Sequence, residues 1–212
     1  MTSKKICIVG AEGCGRETLM CLIDIIASTN LKINEVCCFM LLDKDIKEKT
    51  IMGINVIPQS TFDPKLYKVV VAIADVLTRK SVVKSLPIET EYTKIIHPNA
   101  IISESVEIGE GSIITAGVIL THNIKIGNHA LINLHTTIAH DCTIGNYFTT
   151  APGVRVSGNC KFGDNIYLGT NSAVRQGVTI CNDVTVAMGG LVIKNIVHSG
   201  EYFGNSFLKR IR

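Results

Sequence analysis

The sequence predicts two domains, a small open α/β sheet followed by a parallel β-helix. Two observations lead to this prediction. The first half alternates strand-like and helix-like runs, whereas from about residue 96 apolar residues recur every six positions and glycines every 18. The chain has 212 residues, 46% apolar and 18% charged, which is enough for two small globular domains. We assign residues 1–95 to the first domain and 96–212 to the second.

The first domain has the pattern of a Rossmann-like sheet. Its predicted elements are, in chain order, strand 4–10, helix 16–28, strands 35–42, 54–57 and 68–74, and helix 75–86. The run at 68–74 is continuously apolar after Lys68, as buried parallel strands are. In open α/β sheets ligands bind beyond the carboxyl ends of the strands, so we expect a ligand site there.

The second domain repeats with a period of six residues. Counting in sixes from Ile102 to Val192 gives sixteen positions, of which only Thr150 is polar. A longer period of 18 appears in the glycines Gly109, Gly127, Gly145 and Gly163. Three hexads therefore make one coil of a triangular β-helix, with one corner in three requiring a residue without a side chain. About five coils fit, and Cys142 and Cys160, one coil apart, are predicted to stack inside the prism.

Composition excludes several classes of function. The net charge is +3 and the basic residues are scattered, so no nucleic-acid stripe is present. The eight cysteines form no C-x-x-C pair and no secretory leader precedes them, which fits free thiols in a reducing cytoplasm. No apolar run reaches the roughly 20 residues of a membrane span.

His140 is the candidate catalytic residue. It occupies the third place of its hexad, which points outward, so interior packing is a weak explanation and an ordinary surface histidine is the stronger alternative. His122 lies one coil earlier in the same column and is expected about 5 Å away. It is either a second acid/base group or only a neighbour.

Four stretches then carry a family resemblance: "IVGAEGCGRE", "HTTIAHDCTIGN", "VSGNCKFGDNIYLGTNSAV" and "YFGNS". Together they resemble the hexapeptide-repeat sugar acetyltransferases, typified by the bacillosamine-pathway N-acetyltransferase and the sialic acid O-acetyltransferases. The resemblance implies a left-handed β-helix, a homotrimer, and an acetyl-coenzyme A (acetyl-CoA) site between neighbouring subunits. It implies no metal. The last stretch, residues 195–212, leaves the hexad pattern and is expected to pack as a terminal cap.

The resemblance also implies roles for individual residues. His140 is the expected general base, Asp141 the group that holds its imidazole, and Asn133 a neighbour of the acceptor. The expected cofactor-binding residues are Thr149, Gly158, Thr170, Met188 and Gly189. Histidine suits the task because an amine attacking a thioester must lose a proton near neutral pH.

The loop after the first strand is expected to hold the sugar nucleotide. Gly13, Cys14 and Gly15 are placed near the sugar or its phosphates, with Asp43 as a further substrate contact. The family usually has consecutive aspartates after the second strand, whereas this chain has Leu41 and Leu42, which cannot accept hydrogen bonds from a base. Either Asp43 or backbone groups replace the aspartates, or the nucleotide is a different one.

The predicted function is acetylation of the amino group of a nucleotide-linked amino sugar, of the 4-amino-4,6-dideoxy type. O-acetylation of sialic acid or another sugar hydroxyl is the alternative within the family. A scaffold or metal trimer, with zinc between His122 and His140, is a third interpretation that the acidic Asp141 and the α/β domain disfavour.

Overall fold

In the computed structural model, which describes residues 4–203, an open α/β sheet precedes a parallel β-helix, so the predicted fold class is confirmed. The last strand of the open sheet is Glu91–Tyr92, and the first strand of the β-helix is Ile95–Ile96. A two-residue connection, 93–94, therefore separates the two sheets.

The open sheet has six strands in the order β3-β4-β2-β1-β5-β6. The strands are β1 Lys5–Val9, β2 Cys37–Leu41, β3 Thr50–Ile51, β4 Ile54–Pro58, β5 Tyr67–Val71 and β6 Glu91–Tyr92. The helices are α1 Gly13–Ile26, α2 Ile33–Val36 and α3 Val76–Ser85, with short 3-10 turns at Asp43–Asp45 and Gln59–Thr61. All pairs are parallel except β3 with β4. Since β1 lies between β2 and β5, the chain changes direction across the sheet at β1, which is where such folds bind ligands.

The β-helix has three flat faces, each a parallel sheet. The first face contains Ile95–Ile96, Ile113–Ile114, Leu131–Ile132, Thr149–Thr150, Ile166–Leu168, Val184–Val186 and Gly200–Tyr202. The second contains Ile101–Ile102, Ile119–Leu120, Thr137–Ile138, Arg155–Val156, Ala173–Val174 and Leu191–Val192. The third contains Glu107–Ile108, Lys125–Ile126, Thr143–Ile144, Lys161–Phe162 and Thr179–Ile180. Partners in neighbouring coils are 18 residues apart over most of the prism, as the glycine period predicts.

Three corners join the faces, and they are named by their order along the chain. The first corner joins the first face to the second, as residues 133–136 do. The second corner joins the second face to the third, as residues 139–142 do. The third corner returns to the first face, as residues 145–148 do.

The hexad residues fill the interior of the prism, and the exception at Thr150 is hydrogen bonded. Thr150 is fully buried, and its Oγ1 lies 2.9 Å from Oγ1 of Thr136 and accepts from the backbone N–H of Asn133 at 3.0 Å. A buried hydroxyl costs little when such partners are present. Cys142 and Cys160 are both buried in this core, as predicted.

The glycine column lies on the third corner, where the coils approach closely. A Cβ added to Gly109 would lie 2.4 Å from the carbonyl carbon of Gly127, and one added to Gly127 would lie 2.7 Å from that of Gly145. Side-chain oxygens run beside this column, because Oδ1 of Asn146 accepts from the Asn128 N–H at 2.9 Å and the pattern repeats in the coils on either side. The glycines are therefore required by contact between coils.

The first domain packs against the first face. The outward residues Ile95, Ile113 and Leu131 are buried in one apolar cluster with Leu19 and Leu22 of α1. The side chains that would otherwise be exposed on this face are covered by the domain, which fixes its position on the prism.

The end of the described chain still belongs to the β-helix. Ile196 forms a bridge with Ile180, and Gly200–Tyr202 pairs with Val184–Val186 on the first face. The prediction of a cap over 195–212 is therefore corrected at 200–202, which add a strand, and residues 204–212 lie outside the described part of the chain.

Candidate active site

His140 and Asp141 lie together on the second corner and form a hydrogen-bonded pair. Nδ1 of His140 is 2.8 Å from Oδ2 of Asp141, and the side chains are 52% and 43% exposed. Since the carboxylate can only accept, Nδ1 carries the hydrogen and the lone pair of Nε2 is free. Hydrogen bonds from Asn123 and then from His140 keep the pKa of Asp141 below its usual value, so the carboxyl group is ionised.

Gly158 is in direct contact with the imidazole of His140, one coil later in the same column. A Cβ added to Gly158 would lie 2.6 Å from Cε1 and 2.7 Å from Nε2 of His140. The absence of a side chain at Gly158 therefore sets how close the ring lies to the coil. The family resemblance implied that Gly158 binds the cofactor, and the contact between Gly158 and His140 was not predicted from the sequence.

The column continues on the other side of His140 with His122. Nδ1 of His122 is 2.8 Å from Oγ of Ser105, so this nitrogen already has a partner on the preceding coil. Backbone hydrogen bonds hold the stack, since the N–H of Asp141 donates to the carbonyl of His122 at 3.0 Å. This register places His122 one coil before His140, as predicted.

Two residues expected at the site are held elsewhere. Asn133 lies on the first corner, where its Oδ1 accepts from the Leu134 N–H at 2.7 Å, and the structure does not bring it to His140. Thr149 is 1% exposed on the first face, and its Oγ1 accepts from Nη2 of Arg79 at 2.6 Å. The prediction that Thr149 binds the cofactor is corrected, because its hydroxyl serves the contact between the domains.

The other expected cofactor residues lie on either side of the second face. Gly158 is on the second corner, whereas Thr170, Met188 and Gly189 are on the first corner, with the Gly189 N–H donating to the Thr170 carbonyl at 2.8 Å. Met188 is 75% exposed, which is unusual for a large apolar side chain. An elongated ligand could run along this face from one corner to the other.

A cavity of about 940 Å³ opens beyond the carboxyl ends of β1, β2 and β5, where the sheet topology predicts a ligand. Three loops form its wall. The first loop contributes residues 10–14 and Arg16, the second Leu41 and the segment around 44–52, and the third residues 72–74. Backbone N–H groups at the start of α1 face this cavity and can bind phosphate. The charged side chains of its wall are balanced, with three cations (Arg16, Lys44 and Lys47) and three carboxylates (Glu12, Asp45 and Glu48).

The four predicted substrate residues have different positions. Gly13 and Cys14 line the cavity, and burial raises the pKa of Cys14 to about 11, so its thiol stays protonated. Gly15 does not line it, since an added Cβ would lie 2.1 Å from the Gly10 carbonyl oxygen, and it serves helix–strand packing. Asp43 stays a predicted substrate contact; it is exposed, and its carboxylate accepts from the backbone N–H and the hydroxyl of Ser60.

The cavity wall is tied to the β-helix by Arg79 of α3, which is 1% exposed. Its guanidinium donates to the carbonyls of Ile73 and Ala74, at 2.6 and 3.2 Å, and both residues line the cavity. On the other side it donates to the carbonyls of His129 and Tyr147, both at 3.1 Å, on the third corner. The burial of Arg79 was not predicted from the sequence, because an arginine in a helix with mixed polarity gives no signal of burial.

Within one chain the cavity and His140 lie on different sides of the prism. The first domain covers the first face, whereas His140 lies on the second corner, which is the corner opposite that face. The prism therefore separates the cavity from the His140 of the same chain.

Two further properties hold for residues 4–203. No group of three or more His, Cys, Asp or Glu side chains in this range is arranged to hold a metal ion. None of the helices in this range combines the length and the apolar character needed to cross a membrane.

Comparison with known proteins agrees with this geometry. Residues 5–86 match the family model of the PglD N-terminal domain. The GDP-perosamine N-acetyltransferase of Escherichia coli O157:H7 is 32% identical over 179 residues, which cover 81% of this chain and 78% of the relative.

Two solved structures extend the comparison over almost the whole chain. WeeI from Acinetobacter baumannii AYE superposes with a TM-score of 0.87 at 30% identity, covering 96% of this chain and 98% of that one. PerB from Caulobacter crescentus, solved with CoA and GDP-perosamine, gives 0.79 at 25% identity, covering 93% and 92%.

The fold is a left-handed β-helix with an outward histidine–carboxylate pair, preceded by a small α/β domain with a cavity at its strand ends. This combination defines a hexapeptide-repeat acyltransferase. Within that class, the match over both domains is decisive. The chain belongs to the family of hexapeptide-repeat sugar N-acetyltransferases.

Proposed function

We propose that this protein transfers the acetyl group of acetyl-CoA to the amino group of a nucleotide-linked amino sugar, of the 4-amino-4,6-dideoxy type. The observation that carries the proposal is the His140–Asp141 pair, held in contact with Gly158 beside an open face of the β-helix. The relatives support the two substrates, since one is a GDP-perosamine N-acetyltransferase and another was solved with CoA and GDP-perosamine.

His140 acts as the general base in this proposal. The amino nitrogen attacks the thioester carbonyl carbon, and Nε2 of His140 takes the proton that the nitrogen loses as the new C–N bond forms. The tetrahedral intermediate then collapses, the C–S bond breaks, and the protonated His140 returns its proton to the departing thiolate. Asp141 stabilises the positive ring during this cycle. No enzyme nucleophile is needed, because the thioester is already activated.

The second face supports binding of acetyl-CoA between two copies of the chain. Its outward side is the more apolar, with Ile101, Ile119, Ala173 and Leu191, whereas all the outward side chains of the third face are polar and exposed. A second copy packed on the second face would exclude water from an acyl donor running between Gly158 and the Thr170–Gly189 edge. We therefore propose a closed ring of three chains, in which each site lies between neighbours.

The proposed ring of three chains also allows a sugar bound in the cavity of one chain to meet His140 of another. The nucleotide sugar is proposed to bind in the cavity of one chain, with its phosphates near the start of α1 and Lys44 or Lys47. Its amino group then reaches His140 of the neighbouring chain. Acetyl-CoA and nucleotide sugars are both cytoplasmic metabolites, so we place the activity in the cytoplasm.

The proposal is tested by following thiol release from acetyl-CoA with a panel of acceptors. The panel contains UDP-, GDP- and dTDP-linked 3- and 4-amino sugars and free sialic acid. We expect turnover with a nucleotide-linked 4-amino sugar, and His140→Ala should lower kcat by about two to four orders of magnitude. Turnover on sialic acid alone would replace the proposal by O-acetylation, and full activity of the variant would exclude His140 as the base.

A further inference from the structure

The His140–Asp141 pair does not have an obvious means of holding its geometry. Both side chains are about half exposed, and the residues are adjacent in sequence. Exposed ion pairs contribute little by themselves, because water competes and two side chains must be ordered. Asp141 also has a left-handed backbone, with φ of +59°, which asparagine and aspartate tolerate better than most residues. Something else must keep its carboxylate directed at the imidazole.

Asn123, one coil earlier, contacts that carboxylate from the other side. Its Nδ2 donates to Oδ1 of Asp141 at 2.6 Å, while Oδ2 of the same carboxylate pairs with Nδ1 of His140 at 2.8 Å. Each oxygen therefore has its own donor. With both oxygens occupied, the carboxylate cannot rotate without losing a charge-assisted hydrogen bond.

Asn123 is itself held by the coil that precedes it. Its backbone φ is +50°, and its N–H donates to Oγ of Ser105 at 2.9 Å. The hydroxyl of Ser105 in turn contacts Nδ1 of His122 at 2.8 Å. Ser105, Asn123 and Asp141 thus form a column at one-coil spacing beside the two histidines.

We propose that Asn123 is a positioning residue that orients Asp141 and, through it, fixes the tautomer and direction of His140. This inference rests on the proposed role of His140 as general base. Asn123 suits the role because its amide donates to the carboxylate without adding a charge that would compete with the imidazolium.

A purely structural explanation can be separated from this one, because the fold contains a matched pair. On the third corner, Nδ2 of Asn165 donates to Oδ1 of Asp183 at 2.7 Å, again one coil apart. Both residues have left-handed backbones, with φ of +59° and +58°, and no histidine is bound to that aspartate in the described structure. Asn165→Ala is therefore the control for loss of an inter-coil Asn–Asp bond, and it is a stringent one because it also removes the bond that Nζ of Lys80 donates to Oδ1 of Asn165 at 3.2 Å.

The kinetic test is a double-mutant cycle. Asn123→Ala should lower kcat about 10- to 100-fold, the range known for loss of supporting hydrogen bonds behind histidine ligands, with KM for acetyl-CoA unchanged. In an Asp141→Asn background the same change should alter kcat by less than about twofold, because Asn123 acts only through Asp141. Equal losses in both backgrounds would overturn the inference, and so would a loss in Asn165→Ala as large as in Asn123→Ala.

A spectroscopic test needs no acceptor and separates this inference from the proposed function. Nitrogen-15 NMR of labelled histidine reports the tautomer of the neutral ring, and the His140 signals are assigned by their absence in His140→Ala. The native protein should show the Nδ1–H form, and Asn123→Ala should shift His140 toward a mixture of tautomers while Asn165→Ala does not. An unchanged His140 spectrum in Asn123→Ala would refute the positioning role, whatever the activity of His140→Ala proves to be.

Discussion

Gly158→Ala tests how finely the position of His140 is set. The added Cβ would lie 2.6 Å from Cε1 of His140, whereas carbon atoms in contact are separated by about 3.5–4.0 Å. The ring must therefore move outward by about 1 Å, and because His140 is half exposed it can do so without unfolding the coil. A displacement of about 1 Å at a reacting group lowers the rate by about 100-fold, which is the expected loss in kcat.

The assay is thiol release under saturating substrates, together with thermal unfolding. Gly117→Ala is the control, because its Cβ would lie 2.4 Å from Nδ1 of His135, on the first corner. Gly117 has φ of +69°, so this variant should lose stability while keeping kcat. Native kcat in Gly158→Ala would show that the contact with His140 does not set the rate.

Two further predictions concern the contact between the domains. Arg79→Met removes the five hydrogen bonds of a buried guanidinium and leaves its acceptors without a donor. The free energy of unfolding in urea should therefore fall by about 3–5 kcal/mol. A loss below about 1 kcal/mol would contradict this expectation. Burial, and then Arg79, lower the pKa of His129 to about 4, below the value of about 6.5 in the unfolded chain, so the unfolded state binds the proton first. The contribution of His129 to the free energy of unfolding should be complete above about pH 6.5 and fall by about 2–3 kcal/mol by pH 4.5. His129→Phe keeps a ring against Tyr147 and should lack this pH-dependent contribution. An unchanged pH dependence in that variant would show that another group is responsible.

The β-helix was predictable because its repeat is visible in the sequence as single residues at fixed spacing. An apolar residue every sixth position and a glycine every 18th predict the coil, the interior and the glycine corner, since every coil repeats the same contacts. The cavity was predictable for a related reason, because the strand order places its loops at one edge of the sheet. The final strand at Gly200–Tyr202 was not, since the coil before it no longer has 18 residues.

The details of the site depend on contacts that a linear sequence does not encode. His140 and Asp141 are neighbours in the chain and could be paired by inspection, whereas Asn123 and Gly158 reach them only through stacking of coils. The sequence also carries no sign that Ser60, 17 residues after Asp43, binds the carboxylate of Asp43. Arg79 was missed for the same reason, since all its partners are main-chain carbonyls or Thr149.

The central claim is that His140 of one chain serves a sugar held in the cavity of another, and subunit mixing tests it most directly. One variant is His140→Ala, and the other is Gly13→Trp, which fills the cavity from a position where an added Cβ meets nothing within 4 Å. Each variant alone should be inactive. The two variants are then unfolded together and refolded at equal amounts. With random mixing in a closed ring, about half of the sites have an intact His140 and about half of those have an intact cavity. About a quarter of the native activity should therefore return. No recovery, with mixed assemblies confirmed by mass, would show that the two parts do not meet between chains.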